Sequence, residues 1–261
     1  MAGRDTVFHL AALIAIPYSY AAPHSYVETN VTGTLNILEA ARTHGVSRVV
    51  HTSTSEVYGT AITVPINEDH PLQGQSPHSA SKIGADMMAE AYARSFDVPV
   101  VILRPFNTYG PRQSEWAVIP TVIRQAIDPA CDVIAVGDTS PTLDFNYVAD
   151  TVAAFAMVGA SEKVPFGIPL NAGSGSAVSI QETIDSIVAI TGSNKPVVQD
   201  SDRVRPANSE VRALLADPLK LHEATEWSSA VDLDTGLRNT VEWWRDRLQR
   251  DAQRRSTAYL T

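Results

Sequence analysis

Cysteine is almost missing from this chain. Cys131 stands alone among 261 residues, which excludes an internal disulfide and a cysteine-based metal centre; no other metal-ligand spacing is present. Clustered positive charge is missing too. Twenty Lys and Arg against 29 Asp and Glu give a net charge of −9, and no Lys/Arg-rich stretch offers the face that nucleic acid requires. An anionic ligand must therefore be met by individual arginines. No apolar run reaches the about 20 residues that span a bilayer. The run Val7 to Ile16 has Arg4 ahead of it and small Ala21 and Ala22 behind it, the outline of a secretory signal. Asp5 cancels Arg4, however, and His9 interrupts the run, so a buried parallel strand is the better reading. With a single cysteine, a cytosolic setting is expected. Internal repeats, low-complexity segments and long linkers are also lacking. So is a Gly-x-x-Gly-x-x-Gly turn, the cradle that dinucleotide-binding sheets hold against a pyrophosphate. The nearest glycine pair, Gly173 and Gly175, lies late and has no third member.

What is present is an α/β rhythm. The hydrophobic fraction, 44%, is that of a globular chain, and short apolar runs alternate with amphipathic stretches as in parallel βαβ units. Strands are expected at Val7–Ala12, Arg48–Thr52, Val98–Leu103, Val133–Val136 and Ile168–Ala172. Val27, Val31, Leu35, Leu38 and Ala41 recur at helical steps, with Gly45 placed to end that helix. Further helices are expected at Ser79–Phe96, Trp116–Ile127, Val148–Val158 and Ile180–Ile190. Ser179 and Glu182 form a capping-box pattern at the start of the last of these. A final helix, about Leu233 to Leu248, carries Trp243 and Trp244.

The densest chemistry is Thr52-Ser53-Thr54-Ser55-Glu56-Val57-Tyr58-Gly59 at a strand end, followed by Ser76-Pro77-His78-Ser79-Ala80-Ser81-Lys82. Thr54 and Glu56 are two apart, which in an extended segment puts them on one side. Lys82 lies one helical turn past His78. Around these stand Val7-Phe8-His9-Leu10-Ala11-Ala12, Asn30-Val31-Thr32-Gly33-Thr34, Arg104-Pro105-Phe106-Asn107-Thr108-Tyr109-Gly110-Pro111-Arg112, Asp144-Phe145-Asn146-Tyr147-Val148-Ala149-Asp150, Asn171-Ala172-Gly173-Ser174-Gly175 and Arg205-Pro206. In this order the series resembles the extended short-chain dehydrogenase/reductases of the NAD-dependent epimerase/dehydratase type, over nearly the whole chain.

The resemblance implies a partial doubly wound, Rossmann-type parallel sheet lacking its first strands, with a smaller C-terminal α/β substrate lobe. Residues 1–110 and a return segment at about 144–173 would be the rest of the dinucleotide-binding domain; 111–143 and 174–261 would be the lobe. It also implies that the strand at Val7 is the family's fourth, that the chain is N-terminally incomplete, and that this strand is an open apolar edge. NAD is the implied cofactor, against Ala11, Ala12, Asn30, Thr52 and Lys82. A nucleotide-diphosphate sugar is the implied substrate, held by Asn107, Arg112 and Arg205. The catalytic positions are Thr54, Ser55, Glu56, His78 and Lys82. A homodimer through a four-helix interface, near Val27–Arg42 and Ser79–Phe96, belongs to the same expectation.

Glu56 resembles the acid of 4,6-dehydratases rather than the 4-epimerases, and Leu10 to Tyr20 resembles dehydratases of nucleotide-linked N-acetylhexosamines. Three departures stand against this. His78 takes the place of the family's tyrosine base. Leu143 replaces an arginine that contacts diphosphate. Glu115-Trp116 replaces a small residue and an arginine. Together with the missing glycine turn, these departures lead to an expectation of impaired turnover and weak or absent NAD binding. An epimerase and a catalytically inactive interaction protein are the competing readings.

Overall fold

The computed structural model describes residues 1–204, 206 and 208–250. The chain runs through β1 (Thr6–His9), α1 (Ile16–Ala21), α2 (Pro23–Tyr26), a π-helical turn (Val27–Thr32), α3 (Gly33–His44), β2 (Arg48–Thr52), a 3-10 turn (Ser55–Tyr58), α4 (Pro77–Phe96) and β3 (Val100–Pro105). It continues through β4 (Asn107–Tyr109), α5 (Val118–Ile127), β5 (Ile134–Val136), β6 (Thr142–Tyr147), α6 (Val148–Ala160) and β7 (Pro169–Ala172). The remainder is β8 (Ala177–Ser179), α7 (Ile180–Thr191), β9 (Val197–Gln199), a 3-10 turn (Ser201–Arg203), β10 (Ala213–Leu214), α8 (Leu219–Thr225) and α9 (Leu233–Arg250).

Four strands form a parallel sheet in the order β1-β2-β3-β7. Its central strands are apolar on both faces because both faces are covered. Val49, Val100 and Ile102 pack with Leu38, Ala41, Ala89 and Tyr92 of α3 and α4. Their neighbours Val50, Val101 and Leu103 point the other way, toward Ala154 and Val158 of α6, Leu221 of α8 and Trp227. This is the doubly wound arrangement expected from the sequence. Among the described residues β1 pairs only with β2, and Phe8 is 45% exposed, so it is the open edge the pattern implied.

A second sheet, β10-β6-β4 with β8 antiparallel on β6, packs beside it. Ile119, Ile123, Ile184, Leu237, Val241 and Trp244 bring α5, α7 and α9 into one core, in which Trp244 is buried. β5 and β9 form a separate parallel pair. No helix among the described residues is long and apolar enough to cross a membrane.

Several boundaries differ from expectation for local reasons. β1 stops at His9 instead of Ala12, because the Leu13 amide donates to Asn30 Oδ1 (2.9 Å) and the Leu13 carbonyl accepts from Asn30 Nδ2 (3.0 Å). That clamp pulls the chain out of the sheet. The helix expected from Val27 opens as a π-turn, and its buried face is Asn30, Thr34, Leu38 and Ala41, with Val27 54% exposed. α4 starts at Pro77, two residues early. Ser76 and Ser79 cap it reciprocally, at 3.1 and 3.0 Å, and Pro at the first helical position suits the turn.

Candidate active site

Lys82 is the pivot of the site. Its amine is buried and donates to the Thr52 carbonyl at the end of β2, 2.6 Å away. Burial pulls its pKa below the ordinary lysine value, and Asp86 one turn further on opposes that pull. Asn30, from the π-turn, donates to Ser81 Oγ (2.9 Å) beside Lys82 while holding Leu13. The structure thus gathers Asn30, Lys82, Thr52 and the Leu10–Ala15 stretch, and Asn30 acts there as a clamp. Within that stretch Ala11 is exposed and Ala12 half-buried.

Thr54 and Glu56 meet by a different route from the expected one. The backbone is extended at Thr54, but Ser55–Tyr58 is a 3-10 turn, so strand alternation does not apply to Glu56. Instead the Thr54 hydroxyl caps the turn by accepting from the Glu56 amide at 3.2 Å. Both residues are half-buried and Ser55 is buried. The cap therefore fixes the Glu56 backbone against the Thr54 hydroxyl, just beyond the strand end held by Lys82.

His78, the second residue of α4, is buried with its ring edge-on to Tyr26, centroids 6.1 Å apart. It precedes Lys82 by one turn on the same face.

Sequence reasoning missed a buried polar network beneath these groups. Asp86, fully buried, accepts from His51 Nε2 (3.1 Å), Ser53 Oγ (2.8 Å) and the Arg104 guanidinium (Nε 3.1 Å, Nη2 3.0 Å). Arg104 also donates to the Tyr58 hydroxyl (3.0 Å), which donates to Asn171 Oδ1 (2.7 Å). Glu68 accepts from the Asn171 amide (2.8 Å). The signal was available: Lys82 and Asp86 are four apart on a helix, and His51 and Ser53 are two apart at a strand end.

Two imidazoles of this region stay neutral. His9 is lowered to about 4, by burial first and then by His51 and Lys82; burial also lowers His51, against the pull of Asp86. His9 Nε2 donates to Thr34 Oγ1 (3.1 Å), whose own proton goes to the Asn30 carbonyl (2.7 Å). Both histidines titrate lower folded than unfolded, so their contribution is complete above the unfolded value of about 6.5. It is lost as pH falls below that value, toward about 4 for His9, because the unfolded chain takes up protons the fold refuses, at up to about 1.4 kcal/mol per pH unit for each proton. The melting temperature is therefore expected to drop between pH 7 and pH 5, and His9→Gln to flatten that drop. An equal slope in the variant would contradict the assignment.

The substrate-side residues are less concentrated. Asn107, on β4, donates to the Asp144 carbonyl at 3.3 Å. Arg112 is exposed in the turn after β4, with φ of 69°. Arg205 lies outside the described residues. Leu143 is half-buried on β6, while Asp144 ties down the loop after β7, accepting from the Ser174 and Gly175 amides (2.8 and 2.9 Å) and from Ala216 (3.1 Å). Glu115, the carboxylate that stands where a small residue was implied, pairs with Arg124 at 4.0 Å. A cavity of about 340 Å³ between the end of α6 and α8 is lined by Glu162, Glu223 and Glu226 with Lys163 as its one cation, and includes none of these groups. Its acidity makes it a poor place for an anionic sugar nucleotide.

The family model described as GDP-mannose 4,6 dehydratase matches residues 2–240. The chain belongs to that family, and its fold is that of the extended short-chain dehydrogenase/reductases. A dTDP-glucose 4,6-dehydratase of Streptomyces griseus is 34% identical over 244 residues, covering 94% of this chain and 73% of the relative. A UDP-glucose 4-epimerase of Mycolicibacterium smegmatis is 32% identical over 249 residues, covering 94% and 77%. Among solved structures TunA, described as an NAD-dependent NDP-hexosamine 5,6-dehydratase involved in tunicamycin biosynthesis, superposes with a TM-score of 0.86 at 31% identity. It covers 94% of this chain, which covers 78% of it.

The residues fit one end of NAD. Thr52 Oγ1 is buried and has no hydrogen-bond partner among the described residues, and the Lys82 amine bonds the carbonyl of the same residue. Together these are hydroxyl and ammonium groups suited to the nicotinamide ribose. For the diphosphate end, the described residues hold no Gly-x-x-Gly-x-x-Gly turn.

Proposed function

We propose that this chain carries the substrate site of an NAD-dependent nucleotide-sugar 4,6-dehydratase of the NDP-hexosamine type, with turnover curtailed by His78. The observation that carries the reading is the capped turn joining Thr54 to Glu56 beside the strand end that Lys82 holds. NAD, when bound, supplies the redox chemistry, oxidising the sugar at C4 and reducing it at C6. The Thr54 hydroxyl holds the C4 oxygen. Glu56 takes the proton from C5, which permits loss of the C6 hydroxyl. His78 occupies the position of the base that accepts the C4 hydroxyl proton, and Lys82 binds the ribose. Asn107, Arg112 and Arg205 hold the nucleotide diphosphate through charge-assisted and amide bonds. Residues 1–110 with about 144–173 form the cofactor half in this reading; 111–143 and 174–261 form the substrate half.

A 4-epimerase shares the hydroxyl and the amine but, by resemblance, lacks the acid at position 56. The relative from Mycolicibacterium smegmatis keeps that reading alive. A homodimer through the π-turn with α3 and through α4 is proposed from the exposure of Val27 on the turn and of Met87 and Phe96 on α4. The lone cysteine suits a cytosolic setting.

Two measurements test the reading. The chain itself is expected to bind NAD no more tightly than millimolar by calorimetry, and micromolar affinity would contradict the fit described above. In a His78→Tyr protein, Glu56→Gln is expected to lower formation of a 4-keto-6-deoxy sugar by about 100-fold or more. An unchanged rate would remove Glu56 from the chemistry.

A further inference from the structure

The inward face of α4 carries His78, Lys82 and Asp86 at steps of four, so they stand one above another, and all three are buried. Asp86 points into the polar network and not toward a ligand. Its partners are distributed in a particular way. His51 lies on β2, Ser53 follows that strand, and Arg104 lies on β3. Each link ends within one turn or two residues of a group assigned to the chemistry. Lys82 is one turn before Asp86. Thr54 follows Ser53. Glu56 is two residues before Tyr58, which Arg104 holds at 3.0 Å and which in turn reaches Asn171 on β7.

Stability alone does not call for this arrangement. Replacing a buried ion pair by apolar residues of similar volume is often neutral or stabilising. What a multiply bonded carboxylate supplies is fixed geometry, since four donor atoms from three places must converge on two oxygens. Burial by itself would push the Asp86 carboxyl up, but His51, Arg104 and Ser53 outweigh it and hold it below the usual carboxylate range. It is ionised at neutral pH, and its charge faces the Lys82 amine along the same helix.

We propose that Asp86 is a positioning residue of this site, fixing the α4 turn that bears Lys82 in register with the strand end bearing Thr54 and the turn bearing Glu56. The proposal rests on the functional reading above for the roles of those three groups, while the register itself stands on the hydrogen bonds.

The test compares His78→Tyr protein with the same protein carrying Asp86→Asn and Arg104→Gln together, which removes both charges and keeps amide donors and acceptors. Lysine labelled with 13C and 15N at the side-chain end reports Lys82 among only four lysines, assigned with Lys82→Arg. The Lys82 titration is expected to fall by about one pH unit or more, the direction set by losing the opposing charge. For dehydration, kcat is expected to drop on the order of 100-fold with KM for the nucleotide sugar little changed. A folded variant with the parent's Lys82 titration and the parent's kcat overturns the proposal. If the double variant does not fold, Asp86→Glu keeps the charge and lengthens the link by one methylene; a fall in its kcat supports the proposal and an unchanged kcat overturns it. If none of the proteins turns over, the functional reading has failed, and the Lys82 titration in the double variant decides the proposal alone.

Discussion

Replacing His78 by tyrosine is expected to raise formation of a 4-keto-6-deoxy sugar by on the order of 100-fold at millimolar NAD. Neutral imidazole is an adequate base near its reference pKa of about 6.5, so chemical type is not the difficulty. Reach is: the ring nitrogen ends about 2 Å short of a phenol oxygen, and a misplacement of about 1 Å can already cost on the order of 100-fold. His78 is buried edge-on to Tyr26, so the larger ring has to be accommodated there, and a melting curve run alongside separates misfolding from inactivity. Mass spectrometry of the product gives the rate. A folded variant with no gain would favour the inactive interaction protein, whose available surface is the open edge of β1.

Arg104→Leu is expected to destabilise the protein by about 3–5 kcal/mol, the usual cost of leaving one partner of a buried ion pair without the other. Both members are almost wholly inaccessible, Arg104 at 1% and Asp86 at 0%. The variant strands a carboxylate among His51 and Ser53 and takes the donor from the Tyr58 hydroxyl, itself pushed up to about 12 by burial. For a chain of this size each kcal/mol moves the melting temperature by about 2–4 °C, so a drop of about 10 °C is the expected reading. Asp86→Asn with Arg104→Gln is expected to lose less than Arg104→Leu, because neither charge is then left alone. Equal losses would show that Arg104 contributes packing and not charge.

The sheet was legible because its strands are buried on both faces: Val49–Val50 and Val100–Leu103 have no polar alternation to obscure them. Gly45 and the Ser179–Glu182 cap were read correctly for the same local reasons that make them work, a left-handed φ of 61° and a reciprocal pair of hydrogen bonds. The short strands β4, β6, β8 and β10 were not legible. They owe their form to pairing partners far along the chain, and runs of two to six residues carry little periodicity of their own. At the site, the motif order and the resemblance it carries singled out positions 54, 56 and 82, but the bond from the Glu56 amide to the Thr54 hydroxyl could not be read from them. A strand-end hydroxyl that caps a 3-10 turn looks, in one dimension, the same as two residues on one face of a strand. The Asp86 network escaped because buried polar partners come from strands and helices up to 113 residues apart, as Tyr58 and Asn171 are.

The most direct test of the hydroxyl–acid–amine site is one reaction run in heavy water. His78→Tyr protein is given millimolar NAD and a nucleotide-linked N-acetylhexosamine, and the sugar product is analysed by mass spectrometry and NMR. Proton removal at C5 by Glu56, followed by loss of the C6 hydroxyl, predicts a product lighter by one water and carrying one solvent deuteron at C5. A sugar of unchanged composition with no deuterium at C5, inverted at C4 or simply recovered, would contradict it.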